Sequence, residues 1–600
     1  MKSIILSPRL VFFLLLALLL SACEIEGGVP LKTPGVQPTQ VDTATPTTLV
    51  NSAATAVAIR HETLVLGLVE RPADFYPYTT SITARRAYAP VGELLFPSPI
   101  LPLSYGYTST GVLERIPSLE NGDAQIKPVD VYLDAAGNIT TTVTTVITQV
   151  NQIEINYHWN PKLSWSDGTP VTAADSVFAY ELAKATAPGE EARLLLSQTV
   201  RYEQIDTHTT RATLQPGLIG PDYFLSYWLP LPRHVLQGVN SAEIHQSRFA
   251  QQPLGYGPYM IEDSQAGELR LTRNPHYYGM PPPIARITVT FMRDLDSAIS
   301  RLGQESIDVV AADRVQSTNF AALQANADKL SVHYEPNPIW EHIDFNLDTE
   351  VLQNINVRRA IALGTNRKAM VEALYGNTVP VLESWILPEQ PLSAPLDQLT
   401  RYPYDPEQAR KLLDEAGYSI PDGASIRSSS SLSLTLRLIT SEGAVRQAVA
   451  DMFVKDMQAI GIEVEVAALP SNEMFAADGP LFTRDFDMAL YAWIAGPNPG
   501  GLQLWGCTGV PSEKNGWRGE NFAGWCFRDA DRAIRAAATS LDVDERKAQY
   551  LLHQKLWTQE VPVLPLFQRL SVTAANKSIQ NIKPDALAPV TWNIAEWVKP

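Results

Sequence analysis

Gln152-Ile153-Glu154-Ile155-Asn156-Tyr157-His158-Trp159, then Leu163-Ser164-Trp165-Ser166-Asp167-Gly168-Thr169-Pro170-Val171-Thr172-Ala173-Ala174-Asp175-Ser176-Val177, decides the fold class of this 600-residue chain. The first run alternates: Ile153, Ile155, Tyr157 and Trp159 share one face of a strand, and Glu154, Asn156 and His158 share the other. Asp167-Gly168 reads as a turn. Thr172 stands where a helix cap belongs, with Asp175 in the capping-box position, and Ala174, Val177, Phe178 and Leu182 recur at helical spacing. The same mixture continues outward. Thr63 to Val69 is apolar enough for a buried strand. Asp405 caps a second helix, with Pro406 at its first position, Gln408 able to close the box, Ala409, Leu412, Leu413 and Ala416 as its stripe, and Gly417 as its stop. From Asp485 to Trp493 the chain alternates again, with Phe486, Met488 and Leu490 on one face and Tyr491 and Trp493 on the other. Strands and helices interspersed without an internal repeat predict an α/β protein with mixed sheets.

Composition narrows the function. Hydrophobic residues make up 45% and charged residues 18%, which excludes wholesale disorder and allows a large core without disulfides or metals. The length corresponds to about four domains at roughly 150 residues each, or fewer large ones. Net charge is 47 − 64 = −17 with no Lys/Arg run, which argues against nucleic-acid binding through a basic face. The 45 prolines are a larger share than the usual ~5%, as in a loop-rich secreted protein.

Lys2 and Arg9 precede an apolar run from Val11 to Leu20. That run is shorter than the ~20 residues a membrane-spanning helix needs and fits the core of a secretory signal. It ends in Leu20-Ser21-Ala22-Cys23, which resembles the lipobox of bacterial lipoproteins. The resemblance implies a signal peptide at 1–22, acylation of Cys23, and the lipid as the membrane contact; a plain signal peptide with a chance cysteine is the other reading. The mature charge becomes 45 − 64 = −19. Glu24 to Thr63 contains no aromatic residue and is rich in Thr, Ala, Val, Pro and Gln, so 23–60 is expected to be a disordered tether spanning about 35 Å as a coil. Outside the cytoplasm, Cys507 and Cys526 are expected to form a disulfide. A metal pair is the alternative and lacks nearby His partners.

Four segments, in order, resemble the extracellular solute-binding proteins of peptide-type ABC importers, the oligopeptide/dipeptide/nickel-binding family. They are Leu163–Val177; Gly255-Tyr256-Gly257-Pro258-Tyr259 with Arg273-Asn274-Pro275-His276-Tyr277-Tyr278; Phe345-Asn346 with Asn356-Val357-Arg358-Arg359-Ala360-Ile361 and Asn366-Arg367; and Tyr404–Tyr418. Thr591-Trp592-Asn593 also fits. The resemblance covers about residues 62–600. It implies a two-lobed periplasmic-binding-protein fold with an extra domain and a cleft between lobes. Lobe I is expected at 61–105 with 250–336 and 562–600, the extra domain at 106–249, and lobe II at 337–561. Tyr105 to Val150, longer than the family pattern, is expected to be an extended hairpin or surface loop. Gly168, Gly255 and Gly257 are expected to permit turns.

The resemblance also implies where a solute is held. Tyr491-Ala492-Trp493 matches the second-lobe strand lining the cleft, Asn498 lies on the following loop, and Tyr78, Trp340 and Trp385 lie on segments bordering it. Peptide-binding members carry an Asp three residues after that Trp, against the peptide ammonium; here the position is Gly496, which puts free-amine peptides in doubt. The implied partners are a peptide or small-molecule solute and ABC permease subunits, with the chain a monomer anchored by lipid to the outer face of the cell membrane. No cofactor, metal site or catalytic residue is expected: the sequence has no P-loop, no Gly-x-Ser-x-Gly and no His-Glu-x-x-His, and His158, His234 and His342 show no ligand spacing. The rival functions are a solute sensor that docks on a signalling receptor and an extracellular hydrolase.

Overall fold

A computed structural model describes residues 62–135, 139–140, 142–185, 189–312, 315–429 and 432–600. The expected signal peptide, Cys23 and the tether at 23–60 lie outside the described residues. The architecture is organised by two long antiparallel strands, Leu330–Phe345 and Val563–Asn576, in the middle of a ten-stranded sheet. Beyond the second lie, in order, Val309–Ala312, Thr63–Leu68, Arg286–Phe291, Glu268–Arg273 and Tyr259–Gln265, of which the first three run parallel to one another. Beyond the first lie Met488–Ile494, Thr435–Ser441 and Glu463–Leu469, also mutually parallel. The long strands shift register between Pro336 and Trp340. Pro336 and Pro338 lack an amide hydrogen, so the ladder cannot run through them. Asn337 stitches the break: its side-chain oxygen accepts from the Ile339 amide at 2.8 Å and its carbonyl from Gln568 at 3.1 Å.

A separate antiparallel sheet comprises, in order, Ile139–Thr140, Ala124–Leu133, Ile147–His158, Thr209–Leu214 and Thr199–Gln204. Ile153, Ile155, Tyr157 and Trp159 are fully buried, as their alternation requires. Within Tyr105–Val150, Ala124–Leu133 pairs back on the strand from Ile147 in a long hairpin whose far end exposes Val143, Val146 and Ile147.

Local readings need three corrections. The helix Ala173–Ala185 buries Ala173, Ser176, Ala179, Tyr180 and Ala183, one position off the expected stripe; Val177, Phe178 and Leu182 are only partly buried. Small residues let the helix seat closely, and Ser176 donates to the Trp228 carbonyl at 2.5 Å. Its cap is closed from the Asp175 side, whose carboxylate accepts from the Thr172 amide at 2.8 Å. Gly168 does hold a left-handed turn (φ +89°), but Gly255 and Gly257 answer a different need: a Cβ there would meet the carbonyl oxygens of Leu95 and Leu94 at 2.2 and 2.4 Å. Phe486 packs with Ala489, Tyr491 and Phe522, on the opposite face from Met488 and Leu490, because regular alternation starts only at Met488. The Asp405 helix spans Pro406–Glu415, capped by the Asp405 carboxylate on the Gln408 amide at 2.9 Å. Cys507 and Cys526 are bonded, with Cα atoms 4.6 Å apart.

The long strands are also locked by charge. Glu341, fully buried on the first, accepts from Arg569 Nε on the second at 2.7 Å and from Arg446 Nε on the helix Ala444–Ala459 at 3.4 Å. A buried charge is tolerated only when paired, and removing one member of such a group leaves the others uncompensated. Glu341→Ala is expected to destabilise the protein by about 3 kcal/mol in urea denaturation. A change below ~1 kcal/mol would show that solvent already satisfies both arginines.

Candidate functional site

Open α/β sheets take ligands beyond the carboxyl ends of their strands. On one flank of the large sheet, Thr63–Leu68, Arg286–Phe291 and Val309–Ala312 end at a cavity of about 490 Å³. Its wall includes Glu70 and Ala312 from that edge, Glu335 and Thr573 from the two long strands, and Asp585 and Leu587 from the closing segment. Burial pushes the Glu335 carboxyl up, and neighbouring Asp585 adds to the shift.

On the other flank, Trp493 stands at the carboxyl end of Met488–Ile494. It pairs across the ladder with Trp340, and Tyr491 with His342. Trp493 is partly buried, and Phe522 lies parallel to it at 6.1 Å. Tyr491 is 1% exposed, and its hydroxyl donates to Asp344 at 2.6 Å. Burial lowers His342 to about 3 and raises Asp344 to about 7, despite the Tyr491 hydrogen bond. His342 is therefore held neutral beneath the aromatic row, and Asp344 is moved toward its neutral form.

The other expected site residues are distributed unevenly. Trp340 is buried in a cluster with Trp385, Leu387 and Trp505. Trp385 is buried and donates to His553 Nδ1 at 3.2 Å. Tyr78 is buried among Tyr76 and Trp228 and donates to the Leu229 carbonyl at 3.0 Å, within the core below the first flank. Asn498 donates to Asp222 at 2.9 Å and accepts from Arg546 at 2.6 Å, joining segments far apart in the chain. Gly496 holds the loop through its carbonyl, which accepts from Gln390 at 2.7 Å; around its Cβ position the nearest atom is the Asn498 carbonyl oxygen at 3.9 Å. Trp493 does not line the cavity. His158 and His234 pair with Asp123 and Asp167, each at 3.0 Å. Among the described residues no group of three or more His, Cys, Asp or Glu side chains is placed to hold a metal, and no helix is long and apolar enough to cross a membrane.

Sequence reasoning missed Phe522, Asp222, Glu335, Asp585 and Tyr105. Glu335 had a signal, standing directly before the Pro-Asn-Pro break, and so did Tyr105, set between Ser104 and Gly106 in a turn-like run. Phe522 and Asp222 had none, because their partners come from distant segments.

The family description "bacterial extracellular solute-binding proteins, family 5" matches residues 149–512. A di/tripeptide-binding protein of Pseudomonas aeruginosa is 28% identical over 68% of this chain and 73% of its own length. Among solved structures, a putative peptide-binding protein AppA from Clostridium difficile superposes with a TM-score of 0.70 at 18% identity, over 90% of this chain and all of that one. NikZ from Campylobacter jejuni, in complex with Ni(L-His), superposes with a TM-score of 0.64 at 18% identity, over the same 90% and all of its chain. The structural likenesses identify the two-lobed binding-protein fold. The family match covers more than half of the sequence, and the chain belongs to the bacterial extracellular solute-binding proteins of family 5.

Proposed function

We propose that this chain is the lipid-anchored receptor of an ABC importer, capturing a peptide-like solute between its two lobes and delivering it to the permease subunits. The observation that carries this reading is the placement of Trp493. It sits at the carboxyl end of a second-flank strand, paired with Trp340 on the same long strand that sends Glu335 into the first-flank cavity. A solute spanning the break at Pro336-Asn337-Pro338 meets an aromatic surface on one side and a polar cavity on the other. Such a mix of apolar wall and few polar groups suits a small ligand that closure buries. The domain assignment follows: lobe I from 61–105, 250–336 and 562–600, the extra domain from 106–249, and lobe II from 337–561. Asn498 and Tyr491 act behind Trp493, one fixing the loop against Asp222 and the other fixing the strand through Asp344. Trp385 and Tyr78 support the walls from the cores.

Replacing Trp493 by Ala is expected to weaken binding of trialanine by about 1–3 kcal/mol in calorimetry, the range for an aromatic anchor. Equal affinity in mutant and parent would remove Trp493 from the site. For the anchor, Cys23→Ser is expected to move the protein from the membrane to the soluble fraction on cell fractionation. A mutant that still sediments with membranes would contradict lipidation at Cys23.

A further inference from the structure

The loop after Trp493 reads Gly496-Pro497-Asn498-Pro499-Gly500-Gly501, two prolines and three glycines around a single polar side chain. The loop is tied down on both sides of that side chain. The Gly496 carbonyl accepts from Gln390 at 2.7 Å, and the Gly500 carbonyl accepts from the Tyr550 hydroxyl at 3.0 Å.

Between these anchors, Asn498 stands partly buried between two opposite charges. Its Oδ1 accepts from the Arg546 guanidinium at 2.6 Å, and its Nδ2 donates to the Asp222 carboxylate at 2.9 Å. Both charges orient the amide the same way round, since a guanidinium has only donors and a carboxylate only acceptors. Hydrogen bonds to ionised groups are the stronger kind. Each charge is itself held from behind. The Tyr107 hydroxyl donates to the other oxygen of Asp222 at 3.3 Å. Arg546 Nε donates to the Ala537 carbonyl at 3.2 Å, and the guanidinium lies over the Tyr550 ring, 5.8 Å from its centre.

In the division proposed above, Tyr107 and Asp222 belong to the extra domain, and Asn498, Arg546 and Tyr550 belong to lobe II. Among the described residues, the bond from Asn498 to Asp222 is the one hydrogen bond that joins 106–249 to 337–561.

We propose that Asp222, Asn498 and Arg546 form a bridge that holds the extra domain against lobe II, favours the closed arrangement and sets how fast a solute leaves. This rests on the lobe closure proposed above and gives the extra domain a part in it. The three act as positioning residues, through the closing equilibrium and not by touching the solute. Apparent affinity scales with the fraction of protein in the binding-competent arrangement, so weakening the bridge weakens every solute by one factor.

The test exchanges the acid and the amide. Asn498→Asp alone sets two carboxylates against each other and is expected to break the bridge. Adding Asp222→Asn rebuilds it with donor and acceptor in place: the amide at 222 donates to the carboxylate at 498, which pairs with Arg546, and the amide oxygen still accepts from Tyr107. Small-angle scattering without solute is expected to give a larger radius of gyration for Asn498→Asp and the parent radius for the exchanged pair. In stopped-flow release of trialanine, Asn498→Asp is expected to be about tenfold faster than the parent, and the exchanged pair within about threefold of it. A general loss of structure at Asn498 would not be restored by the exchange. Asn498→Asp with the parent radius overturns the bridge, as does an exchanged pair that stays as open as Asn498→Asp alone. A radius that shifts and is restored while the release rate stays constant overturns the claim on release. A parent protein that does not bind trialanine overturns the peptide reading, and the radii still decide the bridge.

Discussion

The antiparallel pairing of Leu330–Phe345 with Val563–Asn576 is the constraint on which the rest depends. These strands join the two halves of the large sheet, and in the proposed lobe division the motion of one lobe against the other passes through them. Their ladder is broken at Pro336-Asn337-Pro338, where two missing amide donors make continuity impossible, and shifts register again between Glu341 and His342. Next to the break, Glu341 holds Arg569 and Arg446 in a buried ion group. In the proposed closure, bending concentrates at the proline break, where ladder hydrogen bonds are already absent.

The polar groups buried near the aromatic row follow the same logic of placement. Trp340, His342 and Asp344 alternate along one face of the first long strand, opposite Trp493, Tyr491 and Ala489. Burial holds His342 neutral and moves Asp344 toward its neutral form. The cavity on the other side of the break is, by contrast, rich in carboxylates. In the proposed site the two walls offer a solute different chemistry: flat apolar contact around Trp493 and charge from the cavity.

What was legible in the sequence was local. The strand Ile147–His158, the Asp-Gly turn and the capped helix Pro406–Glu415 each carry their signal within a few consecutive residues, as alternation, turn residues or a cap. The buried face of Ala173–Ala185 was misjudged because side-chain size, not hydrophobicity alone, decides how closely a helix seats, and Ser176 is held by Trp228 and Tyr202 from elsewhere. Trp493 was found through a motif, but its pairing with Trp340 was not readable, since register between distant strands is set by the whole sheet. Asp222, bonded to Asn498 and Tyr107, is a contact of the folded chain with no local pattern.

The central claim is that two lobes close on a solute by bending at the proline break. Small-angle X-ray scattering, with and without saturating trialanine, tests it most directly. The account predicts a smaller radius of gyration in the presence of the peptide, abolished when Trp493 is replaced by Ala. A radius unchanged by peptide at saturation would contradict it.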